Sequence, residues 1–168
     1  DQTNARLRGS GWFDFTHDLV LLTSFQIAHL NEGVGTLSSP VNAVQPTPYD
    51  LMTGDVTLRK EFNRFTTSIG ASIDSYDYGS TRAQDGSIIN QDGRDGQIYR
   101  LHGRVDYAFS PKLGWFTAVE GNARNIRGAP EHTLDSQGYR ALSGFTVALT
   151  HLISGEFGAG YAEQNFAD

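Results

Sequence analysis

Between Arg100 and Asp106 the chain reads Arg-Leu-His-Gly-Arg-Val-Asp, with a charged or imidazole side chain at every second position and an apolar residue or glycine between. A period of two is the mark of a β-strand with one wet and one dry face, because successive side chains point to opposite sides. The same alternation recurs along the chain and predicts eight strands, over Ala5–Phe15, Leu19–Leu30, Met52–Glu61, Phe65–Tyr78, Gln97–Phe109, Leu113–Arg124, Gly138–Leu149 and Ile153–Gln164. No stretch sustains a helical period of 3.6.

The connections fall into two classes. Thr16-His17-Asp18, Phe62-Asn63-Arg64, Ser110-Pro111-Lys112 and Thr150-His151-Leu152 are tight. Asn31–Leu51 holds three prolines, Gly79–Gly96 reads Asp-Gly three times, and Asn125–Gln137 is long and polar. Pro and Asp-Gly favour turns and loops because of the backbone angles they fix or tolerate. The tight turns return about every 40–48 residues, so the repeating unit is a hairpin and the chain an antiparallel meander.

The two faces of these strands differ sharply. One carries Leu7, Phe13, Phe25, Ile27, Val56, Leu58, Ile69, Ile73, Leu101, Val105, Val119, Phe145, Phe157 and Tyr161, and Lys60, beside a turn, is the nearest charge to it. The other carries Arg6, Arg8, Asp14, Asp55, Arg59, Glu61, Asp74, Arg100, His102, Arg104, Asp106, Glu120, Arg124, Arg140 and Glu156. Seven arginines against seven acids make that face charge-balanced. A soluble β-sandwich alternates in the same way, with its apolar face inside. A transmembrane barrel places the apolar face on lipid and the charges in its lumen.

Aromatic placement favours the barrel. Trp12, Phe13, Phe15, Phe62, Phe65, Tyr107, Phe109, Trp115 and Phe116 fall beside the tight turns, while Tyr76, Tyr78, Tyr99 and Tyr139 fall where strands meet the long loops. Two aromatic girdles are what the two interfaces of a bilayer select. Strands of about 10–14 residues suit a tilted span better than the usual 5–6 of a soluble strand. A soluble sandwich or propeller-like binding domain remains the rival, although propeller blades hold four short strands.

Composition narrows the class further. The chain has 168 residues, enough for one domain (1–168), and its longest apolar run, Leu19-Val20-Leu21-Leu22, is far short of the roughly 20 residues of a membrane helix. Cysteine is absent, which removes disulfides and thiol chemistry. A net charge of −6 argues against nucleic acid as a partner. With no initiating Met and no signal peptide, Asp1 reads as the start of a mature or trimmed chain. Eight strands opening just before a tight turn leave both chain ends on the long-loop side, and Phe166-Ala167-Asp168 lacks a terminal aromatic. Both features predict a segment of a larger barrel.

Glu61-Phe62-Asn63-Arg64-Phe65, Asp74-Ser75-Tyr76-Asp77-Tyr78, Gly138-Tyr139-Arg140 and Gly155-Glu156-Phe157-Gly158-Ala159-Gly160-Tyr161 resemble stretches of the β-barrel porin family of alphaproteobacterial outer-membrane proteins. The resemblance covers most of the chain from Tyr49 onward and rests on turn and girdle features. It implies location in a bacterial outer membrane, contact with outer-membrane lipid, and a chain shorter than most of the family. By analogy with members found beside polysaccharide export systems it also implies a conduit for small solutes or polysaccharide, with other envelope or export proteins as partners.

Candidate chemistry is sparse. The lumen-lining set expected is Arg6, Arg8, Asp55, Arg59, Asp74, Arg100, His102, Arg104, Asp106, Glu120, Arg124, Arg140 and Glu156, which either tunes a permeation path or plugs a narrow barrel as an ion-pair network. Of the histidines, His17 and His151 fall in tight turns, His29 and His132 at loop ends or in loops, and only His102 points inward. Ser68 and Ser72 face inward with no His at a matching spacing, so no Ser–His–carboxylate trio and no enzyme is expected. Asp85-Gly86 and Asp92–Gly96 lack an EF-hand spacing and read as turns, so no metal or cofactor is expected. The expectation is an up-and-down outer-membrane barrel, porin-like or export-associated, with a plugged structural anchor as the alternative.

Overall fold

In a computed structural model the chain is described over residues 3–36, 39–128, 135–149 and 153–166. Its long strands are β1 (Ala5–Thr16), β2 (Leu19–Glu32), β3 (Thr47–Phe62) and β4 (Phe65–Tyr78), followed by a small loop hairpin of β5 (Thr81–Arg82) and β6 (Ile88–Ile89). Then come β7 (Gly96–Ser110), β8 (Leu113–Ile126), β9 (Ser136–Ala148) and β10 (Ser154–Phe166). The eight long strands form one antiparallel sheet in the order β1-β2-β3-β4-β7-β8-β9-β10. This is the meander the turn spacing predicts. The sheet is open: β1 and β10 each have a neighbour on one side only.

Strand positions follow the alternation closely, and β4 has the predicted bounds. The largest difference is β3, which begins at Thr47 rather than Met52. Pro48 makes that stretch read as loop, yet it pairs with Asn31 at the strand's end, where a missing N–H costs little. Strands β1 and β7 each carry a register shift beside their turns, at Asp14/Thr16 and Ala108/Ser110. The tight turns between described strands are two-residue links: His17-Asp18, Asn63-Arg64 and Pro111-Lys112. Asn63 adopts φ 53°, a left-handed conformation that Asn tolerates better than most residues. The fourth tight turn, Thr150-His151-Leu152, lies outside the described residues, as does His132.

The apolar face is uncovered. Leu7, Phe25, Ile27, Met52, Val56, Ile69, Leu101, Val119 and Phe157 are all exposed, and among the described residues no second sheet packs on them. A sandwich would bury these side chains, so the described sheet is not one layer of a sandwich. Apolar core on the other face is thin, with Phe116 and Ala28 its buried members. Direct partners join the outward rings into a belt, Phe62–Phe65–Tyr107–Trp115–Phe145–Phe157, running across β3, β4 and β7 to β10. Within it Phe65 and Tyr107 lie 4.6 Å apart, Tyr107 meets Phe109 edge-on at 5.0 Å, and Phe145 meets Phe157 at 6.0 Å.

Curvature shows in the side chains. Arg104 of β7 bonds Glu156 of β10 with β8 and β9 between them. Three inter-strand spacings amount to about 14 Å in a flat sheet, beyond the combined reach of the two side chains. The charged face is therefore concave and the apolar face convex. Glycines permit the tight coil at β9 and β10. A Cβ on Gly144 would lie 2.2 Å from the Phe157 carbonyl oxygen and 2.5 Å from the Gly158 Cα.

At the long-loop end the connections are cross-tied. Val44 N–H donates to the Arg82 carbonyl, Thr81 Oγ1 to the Gln45 carbonyl and Gln84 N–H to the Asn42 carbonyl, so the first long loop adds to the β5–β6 hairpin. Ala43 and Thr81 are buried beneath it. Asp85 accepts from the backbone and hydroxyl of Ser87, a local turn that also holds its carboxyl below the usual carboxylate range.

The Gly144 geometry gives a stability prediction. Gly144→Ala should force β9 and β10 apart and lower stability by about 1–3 kcal/mol, seen as a lower urea midpoint for unfolding in detergent micelles. An unchanged midpoint would refute the close approach.

Candidate functional site

Pairing assigns each candidate to a face. Arg8, Ser10, Trp12, Gln26, Asp55, Thr57, Asp74, Arg100, His102, Arg104, Asp106, Glu120, Arg124, Arg140 and Glu156 all occupy the concave side, since each lies in a row of direct cross-strand partners on that face. One such row runs Trp12–Leu22–Thr57–Gly70–His102–Glu120–Arg140–Ala162. Arg6 and Arg59 share the same side by the same parity.

Charge on this wall is mostly neutralised between neighbours. Arg59 pairs with Glu61 on its own strand at 2.8 Å, Arg100 reaches Asp74 on the adjacent strand at 2.6 Å, and Arg140 meets its direct partner Glu120 at 2.9 Å. Arg8 donates twice to Gln26, also its direct partner. Arg104 is the branching point. It grips Asp106 two residues on at 2.7 Å, reaches Glu156 at 2.5 Å, and lies 4.4 Å over the buried Phe116 ring. Such partly exposed pairs each contribute roughly 0–1 kcal/mol, so their main effect is to fix side-chain positions.

His102 reaches across β4. Its Nε2 is 3.1 Å from Thr57 Oγ1, and Asp55 Oδ2 lies 4.0 Å away. The contact exists because Gly70 stands between them: a Cβ there would lie 2.4 Å from Thr57 Oγ1 and 2.5 Å from His102 Nε2. Beside this contact a concave recess of about 610 Å³ is lined by His102, Arg104, Glu120, Arg140 and Leu142.

The aromatic candidates divide. Phe65, Tyr107 and Trp115 lie in the convex belt at the turn side, and Phe15 contacts Phe13 at 4.9 Å. Tyr99 and Tyr139 are convex too, and Tyr139 and Tyr161 both donate to Glu163. Trp12, Phe116, Tyr76 and Tyr78 belong to the opposite face and correct the girdle expectation. Tyr76 opposes Leu51 and Tyr78 opposes Tyr49, in phase with Asp74. Depth along a strand is legible from distance to a turn, whereas face depends on parity, which for these four follows the charged set.

Two features at the rims were not signalled by motif. His29 Nδ1 lies 2.7 Å from Asp50 Oδ1 on the convex side at the long-loop end. At the turn end Lys60 Nζ bonds Asp18 Oδ2 at 2.5 Å and lies 5.3 Å from the Phe62 ring centroid. His29 and Asp50 are direct partners, and Lys60 is paired with Leu19, the neighbour of turn residue Asp18, so the register brings each pair together.

Residues 1–168 match the family described as "Putative beta-barrel porin 2". The chain belongs to that family. Nothing among curated proteins or solved structures matches it. In a β-barrel porin the convex apolar face is the lipid side and the concave charged face the lumen side. Membership points to an outer-membrane barrel.

The turn-side rim carries a pH signature. Hydrogen bonds from Lys60 and Thr16 lower the Asp18 carboxyl to a pKa of about 2. A carboxyl with a lower pKa folded than unfolded adds stability above the unfolded value of about 3.9 and loses it as pH falls through the folded one. Asp18→Asn should therefore be less stable than the parent protein between pH 5 and 7, and the gap should close between about pH 4 and 2. Urea midpoints in micelles across that range would check it, and a gap that persists at pH 2 would refute the assignment.

Proposed function

We propose that this porin-family chain forms part of a water-filled, non-catalytic conduit of the outer membrane that passes small hydrophilic solutes or polysaccharide. The observation that supports this reading is how the lumen-face ion pairs lie. Arg59–Glu61 and Arg104–Asp106 run along single strands, and Arg100–Asp74 and Arg140–Glu120 join adjacent ones. Pairs that hug the wall coat a channel, whereas a plug needs pairs that cross it. Among the described pairs the widest reach on this face is Arg104–Glu156, three strand positions.

In hydrocarbon an open sheet edge leaves a row of unpaired backbone groups. The proposal therefore includes closure of the sheet through β1 and β10, onto each other or onto further strands. Eight strands alone enclose little more than side chains, so a wide conduit calls for further ones.

Conductance in planar bilayers tests the conduit. The full-length protein should give discrete open steps. At about 5 Å a unit charge alters a passing ion's energy by about 0.8 kcal/mol in water, so Arg104→Ser should raise cation permeability and lower anion permeability by up to about fourfold each. Glu156→Gln should shift it the other way. A closed trace from folded, heat-modifiable protein would overturn the conduit in favour of a plugged anchor.

A further inference from the structure

Charge on the concave face is sorted along the strands as well as between the two sides of the sheet. The cross-strand row through Trp12, His102, Glu120, Arg140 and Ala162 divides that face in two. Toward the long loops stand Arg6, Arg8, Arg100 and Arg124, against Asp55 and Asp74. Toward the turns stand Asp14, Glu61, Asp106 and Glu156, against Arg59 and Arg104. The dividing row is balanced by the Arg140–Glu120 pair. Three strands change sign in the same direction: β1 from Arg6 and Arg8 to Asp14, β7 from Arg100 to Asp106, and β8 from Arg124 to Glu120.

Pairing does not erase this difference. On the long-loop side Arg100 holds Asp74, while Arg8 bonds only the neutral Gln26. Arg6 and Arg124 have no hydrogen bond or ion pair to a described residue. On the turn side Arg59 holds Glu61, Asp106 and Glu156 share the one cation Arg104, and Asp14 has no ion pair to a described residue. At the rims Glu32 is offset by Arg94, Asp95 by Arg127 and Asp18 by Lys60. Arg64, Lys112 and Asp135 stand in turns or loops, off the wall. From Arg6 to Asp14 along β1 is about 26 Å at 3.3 Å per residue. That exceeds twice the screening length of about 10 Å in 0.1 M salt, so the two ends act as separate fields.

We propose that this wall makes the conduit a rectifier, which admits small anions past the arginines at the long-loop mouth and cations past the carboxylates at the turn mouth. The inference rests on the conduit reading and adds a direction to it. With the turn side positive, each ion first meets the band of opposite sign and is concentrated there. With the polarity reversed, each first meets its like charge and is held back. Charges mixed evenly along the wall would conduct alike both ways.

Single channels of the full-length protein in planar bilayers, with the same potassium chloride on both sides, test the rectifier. The chain has no cysteine, so a biotin attached at Ser80→Cys, in the second long loop, lets streptavidin mark the chamber that the loops face. In about 0.1 M salt the current with the turn side positive should be about twice that at the opposite voltage. The two should become equal in about 1 M salt, where screening shortens to about 3 Å. Arg6→Gln combined with Arg124→Gln should bring the ratio close to one. Asp14→Asn, at the other end, should lower it too and serves if the arginine variant does not fold. Equal currents from the parent protein in about 0.1 M salt, the larger current with the turn side negative, or a ratio that neither variant moves would overturn the rectifier and leave the conduit standing. A closed trace would overturn both.

Discussion

Backbone hydrogen bonding is the constraint from which the rest follows. A chain that meets hydrocarbon on one side must satisfy its N–H and C=O groups within itself, and a continuous antiparallel ladder does so strand by strand. The ladders from β1 to β10 run almost unbroken, and both register shifts sit beside turns, where water and side chains are at hand. Once register is set, side-chain parity leaves no freedom. A slip of one residue would send Arg100, His102 and Arg104 into the apolar face and Leu101 and Val105 into the charged one. The sharp contrast between the two sets of residues is what pins the register.

Parity then divides the labour. On the convex side the polar exceptions are satisfied locally. Trp115 Nε1 and Thr117 Oγ1 both donate to Ser143 Oγ, which donates to the Phe116 carbonyl. On the concave side the ion pairs contribute little stability one by one, but each holds a long side chain against the wall. Arg104 combines two carboxylates with the face of Phe116, so it is the most constrained cation among the described residues of the concave side. Glycine supplies room where side chains must pass over a strand, and Gly70 beneath the Thr57–His102 contact is the clearest instance.

The two ends of the sheet are built differently. The described turns are two-residue links, with an aromatic belt just above them and the Lys60–Asp18 contact at the rim. At the other end Arg94 joins the second long loop to Glu32 of β2, and Asp95 receives the Tyr78 N–H, so the connections are anchored to the sheet. Tyr49, Tyr76 and Tyr78 of the concave face lie at that anchored end.

Sequence alone determined the strands, their antiparallel order and the two chemically distinct faces, because a period of two is written residue by residue and tight turns leave no other connectivity. It also gave the distance of each aromatic residue from its turn, since that distance is counted along a strand. Trp12, Phe116, Tyr76 and Tyr78 share the charged face because their parity, not their distance from a turn, decides the side. Tertiary structure alone decided which charges meet. Arg104–Glu156 depends on curvature over three strand spacings, and Thr57–His102 on the missing side chain of Gly70. The Tyr49–Tyr78 stack needs β3 to begin at Thr47, beyond what the prolines suggested. Pairings between residues dozens of positions apart also need the bend of the sheet, which no local pattern encodes.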